Sequence, residues 1–196
     1  MILPIVAYGS SVLKVKASAV NTEDPNMEKL IADMWKTMYN ANGVGLAAPQ
    51  VGESIRLFVI DASPFAQDEE LALEEVEVLK DFKQVFINPI ILEETGEEWD
   101  FKEGCLSIPN IREDVSRKEE ITIHFFDEQL KEKTLTLNGL SARIVQHEYD
   151  HIEGILFTDK LTPLKKRLLK GKLNNISNGN IDPDYKMHFS AKKIRK

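Results

Sequence analysis

The stretch "NGLSARIVQHEYDHIEG", Asn138 to Gly154, decides how this chain folds. Just before it, "EEITIHFFD" (Glu119–Asp127) and "KTLTLNG" (Lys133–Gly139) alternate apolar and polar residues. That is the pattern of antiparallel strands joined by a turn. From Leu140 the period changes. Leu140, Ile144, His147 and His151 share one helical face, Val145, Tyr149 and Ile152 a second, and Arg143, Gln146, Asp150 and Glu153 a polar third. Apolar residues on two faces predict a mostly buried helix over 140–152. Asn138 or Ser141 can cap its start, and Gly154 can end it in αL.

Working outward, Met27 to Asn40 carries Met27, Leu30, Ile31, Met34, Trp35 and Met38 at helical spacing, introduced by "NTEDP" and stopped by Asn42-Gly43. "IRLFVID" (Ile55–Asp61) and "QVFINPII" (Gln84–Ile91) read as strands, the second interrupted at Asn88-Pro89. His124 falls in a strand and is read as a packing residue. The acid-rich segment 62–83 reads as a surface insertion with a short helix. A last helix starts after Pro163 and runs through "LKKRLLKGK"; the polar, turn-rich remainder, with a solvated His188, is expected to be flexible or loosely docked. The class is α+β: antiparallel or mixed sheets packed around a central helix, with an N-terminal and a C-terminal helix. Residues 1–170 form the expected single domain and 171–196 a basic tail.

The 196 residues fit one domain, and 42% hydrophobic with 29% charged residues is ordinary for a globular protein. The net charge of −7 is unevenly spread. From Leu164 onwards ten Lys or Arg face two Asp or Glu, leaving 15 basic and 30 acidic residues before it. A basic tail on an acidic body suits an anionic partner such as RNA or a membrane surface, or equally a solvated tail. The single Cys105 excludes an intramolecular disulfide and points to a reducing compartment. "MILPIVAYGS" lacks a secretory pattern, and no apolar run approaches the roughly 20 residues of a membrane helix. The expected location is the cytoplasm, with neither membrane nor DNA as partner.

One buried histidine is ordinarily a satisfied core residue. Two spaced i and i+4, with Glu148 directly after the first, are better explained by coordination. One turn places both ring nitrogens on one ion, with the carboxylate beside it to act on water. A catalytic site needs a third protein ligand. Downstream stand Glu153, Asp159 and His188; upstream stands "EGCLSIP" (Glu103–Pro109), where Cys105 sits in an expected tight turn. A thiolate with two imidazoles suits Zn(II) or Fe(II). The downstream choice would make an HExxH protease; a closed structural site would need a fourth protein ligand, and no second Cys exists. A third segment, "NGVGLAAPQVG" (Asn42–Gly52), has three glycines that permit close backbone approach, and Gln50 as its one long polar side chain.

Together, "GVGLAAPQ" (Gly43–Gln50), "EGCLS" (Glu103–Ser107) and "QHEYDH" (Gln146–His151) resemble the three motifs of the peptide deformylases, in their order. The resemblance runs to about residue 170. It implies removal of the formyl group from N-terminal formyl-methionine of new polypeptides. It implies Cys105, His147 and His151 as metal ligands, Fe(II) as the usual ion with Ni, Co or Zn as substitutes, and Glu148 as general acid and base. The Gln50 amide and the Leu106 N–H become oxyanion donors, and Gly45 a backbone partner for the peptide. Val44, Leu140 and Ile144 become candidate walls of a methionine pocket, or simply core. Arg112 becomes a candidate substrate contact and Glu103 an acceptor for a ligating histidine. Asp150 and Arg117 can pair beneath the site. In some members a C-terminal helix contacts the ribosome, and Lys165, Lys166, Arg167, Lys170 and Lys172 are compatible with that.

Overall fold

The computed structural model of the chain describes residues 1–190. Strands β2 (Gly45–Ala47), β3 (Leu57–Asp61), β4 (Lys83–Cys105), β5 (Ile108–Phe126) and β6 (Glu132–Asn138) form one antiparallel sheet in that order. A second, two-stranded parallel sheet joins β1 (Ile5–Val6) to β7 (Met187–His188). Among the described residues four α-helices complete the α+β fold: α1 (Met27–Asn40), α2 (Leu73–Lys80), α3 (Gly139–Ile152) and α4 (Pro163–Ser177).

The sheet's interior explains why α3 is central. "LFVID" is buried at all five positions of β3, as an apolar run covered on both faces must be. Phe58, Phe86 and Phe125 form an aromatic ladder across three strands, with centroids 4.7 and 4.3 Å apart. Leu140, Ile144, Val145 and Ile152 of α3 belong to the same core cluster. On the other side α1 buries Met27, Ile31, Met34 and Met38 with Leu57, Val59 and Val85.

The strands on either side of the site are longer than the sequence reading made them. β4 runs 23 residues and pairs with β5 from Ile87 to Cys105, with register shifts at Ile87/Ile90, Ile91/Glu93, Thr95/Glu98 and Gly104/Cys105. Asn88, with φ 50°, marks the expected interruption. Cys105 is thus the last residue of a strand, and the turn consists of Leu106 and Ser107.

Three other features change or add to what was expected. Neither Asn138 nor Ser141 caps α3 with its side chain; the carboxylate of Glu75, on α2, accepts from the Leu140 N–H at 2.9 Å. The acidic segment is therefore packed against the central helix, with Leu79 fully buried. Glu75→Ala is expected to cost about 1 kcal/mol, the usual worth of a cap, and to lower the thermal midpoint by ~2–4 °C. The polar face of α3 is also buried: Arg143 and Gln146 are each only 2% exposed. Arg143 donates to the Trp99 carbonyl at 2.6 Å, and Gln146 to Glu94 at 3.1 Å.

The third change concerns the tail. α4 continues through Leu173 and Ile176, which are buried with Leu13, Ile111 and Phe157. The chain then returns so that Ile5 N–H donates to Lys186 O and Ala7 N–H to His188 O, both at 2.9 Å. The expected loose segment is docked as far as residue 190 because apolar Tyr185, Met187 and Phe189 find places on the core clusters. Residues 191–196 of the expected tail lie outside the described residues. Among the described residues no helix is long and apolar enough to cross a membrane.

Candidate metal centre

β4 and α3 bring together the three residues singled out as ligands. The donor atoms of Cys105, His147 and His151 all lie within 4.8 Å of one another. Cys105 Sγ is 3.3 Å from His151 Nε2. The two imidazoles stand nearly perpendicular, at 81° with centroids 5.1 Å apart. His147 Nδ1 donates to Glu103 Oε2 at 2.8 Å, which fixes its tautomer and leaves Nε2 for the cluster. A thiolate and two imidazoles converging in this way fit a divalent ion of the zinc or iron type. His151 Nδ1 is buried without a partner among the described residues.

Glu103 anchors a buried charge network beneath the cluster. Arg117 donates to it twice, at 2.6 and 3.0 Å, and Arg143 once at 3.2 Å. Arg117 also donates to Asp150 at 2.6 Å. Burial opposes ionisation of Glu103, yet the hydrogen bonds from His147 and Arg117 hold its carboxyl well below the usual carboxylate range. Burial likewise opposes the charge on His147, but its hydrogen bonds with Cys105 and Glu103 raise its pKa well above 6.5. His151, buried and facing the His147 charge, is pushed well below 6.5.

Glu148 lies in contrasting surroundings. A Cβ on Gly45 would overlap its carboxylate, so glycine is what lets the β2 backbone lie against it. Its Oε2 is buried without a partner, and burial pushes the carboxyl up from 4.5 to about 7. The sign of the consequence follows from linkage. Between pH 4.5 and about 7 the folded chain keeps this proton while the unfolded chain releases it, so stability falls as pH rises. In chelator-treated protein, Glu148→Gln should therefore gain up to ~3 kcal/mol on wild type between pH 4.5 and 8, read by urea denaturation. A difference that stays flat across that interval would contradict the burial argument.

Gln50 enters from the turn after β2. Its Oε1 accepts from the Ala47 N–H at 2.8 Å, which aims Nε2 at Cys105 Sγ (3.5 Å) and Ser107 Oγ (3.3 Å). Cys105, Gln50, His147, Glu148, Gly45 and Val44 line one cavity of about 560 Å³, together with Glu103, Leu106, Ile144 and the exposed Arg112 at its rim. His151 lies buried at its back. Leu140 does not reach the cavity; it belongs to the core cluster on which Phe65 and Phe101 pack. The downstream alternatives are engaged elsewhere. Glu153 pairs with Arg56 and Lys16, Asp159 pairs with Lys14, and His188 is exposed on β7.

Phe65, Phe101, Ile108 and Tyr185 also line the cavity, and sequence reasoning did not find them. For Phe101 a signal exists: Trp99, Phe101, Glu103 and Cys105 alternate and share one face of β4. For Tyr185 a signal also exists: Ile181, Pro183, Tyr185, Met187 and Phe189 alternate with Asp182, Asp184, Lys186 and His188. The Tyr185 hydroxyl donates to the Leu106 carbonyl at 2.7 Å.

A family model described as polypeptide deformylase matches residues 2–167. A peptide deformylase of Christiangramia forsetii is 63% identical over 196 residues, covering 100% of both chains. One of Flavobacterium johnsoniae is 56% identical over 193 residues, 98% of each. Among solved structures, a peptide deformylase from Legionella pneumophila superposes with a TM-score of 0.76 at 38% identity, covering 92% of this chain and 98% of that one. That from Thermotoga maritima gives 0.72 at 36% identity, covering 83% and 99%. With residues 2–167 matched by the family model and relatives this similar end to end, the chain belongs to the polypeptide deformylase family and is an enzyme of that kind.

Proposed function

We propose that this chain hydrolyses the formyl group from the N-terminal formyl-methionine of newly made polypeptides, releasing formate and a free amino terminus. In this reading one divalent cation is held by Cys105, His147 and His151. Family membership supports the reaction. Within the chain, the observation that carries the proposal is a three-donor cluster, two of whose members line the same cavity as Glu148, whose buried Oε2 has no partner among the described residues. We assign Fe(II) from the family resemblance, with Ni, Co or Zn accepted by the same donors. When bound, such a cation polarises a carbonyl and lowers the pKa of water.

The remaining work falls to the chain. Glu148 takes a proton from the attacking water and returns it to the leaving amine; a carboxyl with a pKa of about 7 suits both directions. The Gln50 amide and the Leu106 N–H donate to the oxygen of the tetrahedral carbon. Gly45 pairs with the peptide backbone, and Glu103 keeps His147 oriented. Val44 and Ile144 wall the methionine side chain, with Leu140 backing Ile144 from the core. Arg112 meets the peptide at the rim. Residues 1–170 serve as the catalytic domain, and the work is placed in the cytoplasm. Arg167, Lys170 and Lys172, exposed on α4, offer a basic surface for the ribosome.

A formyl carbon bears only hydrogen, so a narrow site admits it and excludes larger acyl groups. Acetate release from acetyl-Met-Ala-Ser should be at least about 100-fold slower than formate release from the formyl peptide. Comparable rates on the two peptides would contradict the reading.

A further inference from the structure

The turn of Leu106 and Ser107 carries one of the two proposed oxyanion donors, yet it lies between the ends of β4 and β5, beyond their ladder. Its backbone carbonyls are held from other parts of the chain. Ser107 O accepts from the Tyr8 N–H at 2.9 Å, just after β1. Leu106 O accepts from the Tyr185 hydroxyl at 2.7 Å, just before β7. Because β1 and β7 pair with each other, the two anchors are tied together. Tyr185 stands immediately before Lys186, whose carbonyl is bonded to Ile5, so its ring is delivered to the cavity by fixed backbone. The family model stops at residue 167, short of this whole returning segment, which the Christiangramia forsetii relative nonetheless spans.

We propose that Tyr185 is a positioning residue for the reaction: its hydroxyl pins the Leu106 carbonyl and so holds the Leu106 N–H at the angle the developing oxyanion needs. The inference rests on the proposed function above. The carbonyl and the N–H of Leu106 belong to successive peptide planes joined through one residue's φ and ψ. Pinning the first plane limits the swing of the second. Preorganised donors act because they need no reorganisation at the moment of reaction. A loosened donor therefore lowers turnover without altering ground-state binding. The Tyr185 ring also covers part of the cavity wall beside Cys105 and Leu106, so packing is the competing role.

Two variants of the full chain separate these roles. Tyr185→Phe keeps the ring and removes the hydroxyl; Tyr185→Ala removes both. On formyl-Met-Ala-Ser, Tyr185→Phe is expected to lower kcat about tenfold, a fraction of the loss for deleting an oxyanion donor. KM should stay within about twofold, and the thermal midpoint should fall by no more than ~2–4 °C, the loss of one hydrogen bond. Amide hydrogen exchange at Leu106 and Ser107 should quicken in Tyr185→Phe while exchange in β1 is unchanged. That readout needs no turnover. If Tyr185→Phe matches wild type in kcat and in exchange, and only Tyr185→Ala is impaired, the residue packs and does not position, and the proposal fails. Wild-type formate release in the same assay leaves the proposed function standing in that event; its absence would instead remove the ground on which the inference rests.

Discussion

Glu148→Gln is expected to lower kcat on formyl-Met-Ala-Ser by about 10²–10⁴-fold, the usual worth of a general acid–base group, while leaving metal content unchanged. Glutamine keeps the size of the side chain and its place beneath Gly45 but cannot carry a proton. Glu148 is absent from the three-donor cluster, so its amide analogue should not disturb metal binding. Fold should be preserved too, because the replaced oxygen has no hydrogen bond to lose. A variant that keeps metal and more than about a tenth of wild-type turnover would remove Glu148 from the proton-transfer role.

Cys105→Ala is expected to have the larger effect on the metal itself. Partners that only orient a ligand typically change metal affinity 10–100-fold when removed. Removal of one of the three proposed ligands should exceed that, giving protein purified without stoichiometric metal and with turnover at background. Elemental analysis of the variant beside wild type measures it. Retention of metal would favour a third ligand downstream, the protease arrangement. The ion pairs that hold Glu153 and Asp159 away from the cluster argue against that result.

The parts of the site that sequence reasoning reached are those carried by local spacing. His147, Glu148 and His151 sit on one helix, so period alone relates them, and α1 is legible from its apolar stripe. Cys105 and Gln50 were reachable through short motifs, although their convergence with α3 is a property of the sheet. What stayed hidden depends on contacts between distant residues. Glu75 caps α3 across 65 positions of sequence, and nothing near Leu140 announces it. The Glu93–Lys102 half of β4 carries charges on both faces, which conceals a strand whose partner supplies the pairing. Arg143, Gln146 and Asp150 were legible as the polar face of α3, and Asp150 as a partner for Arg117, but the burial of all three was not. Here their partners on β4 and β5 make burial tolerable, since hydrogen-bonded charges lose less on leaving water. The alternation around Tyr185 was legible, but the partner of its hydroxyl, Leu106, lies 79 positions earlier and nothing local announces it.

The central claim is that this cavity removes formyl groups with the help of a cation held by Cys105, His147 and His151. The most direct measurement is formate release from formyl-Met-Ala-Ser by the full chain, titrated with Fe(II) kept reduced. The account predicts that release rises in proportion to bound iron and levels off at one ion per chain. No release above background with Fe, Ni or Co would contradict it.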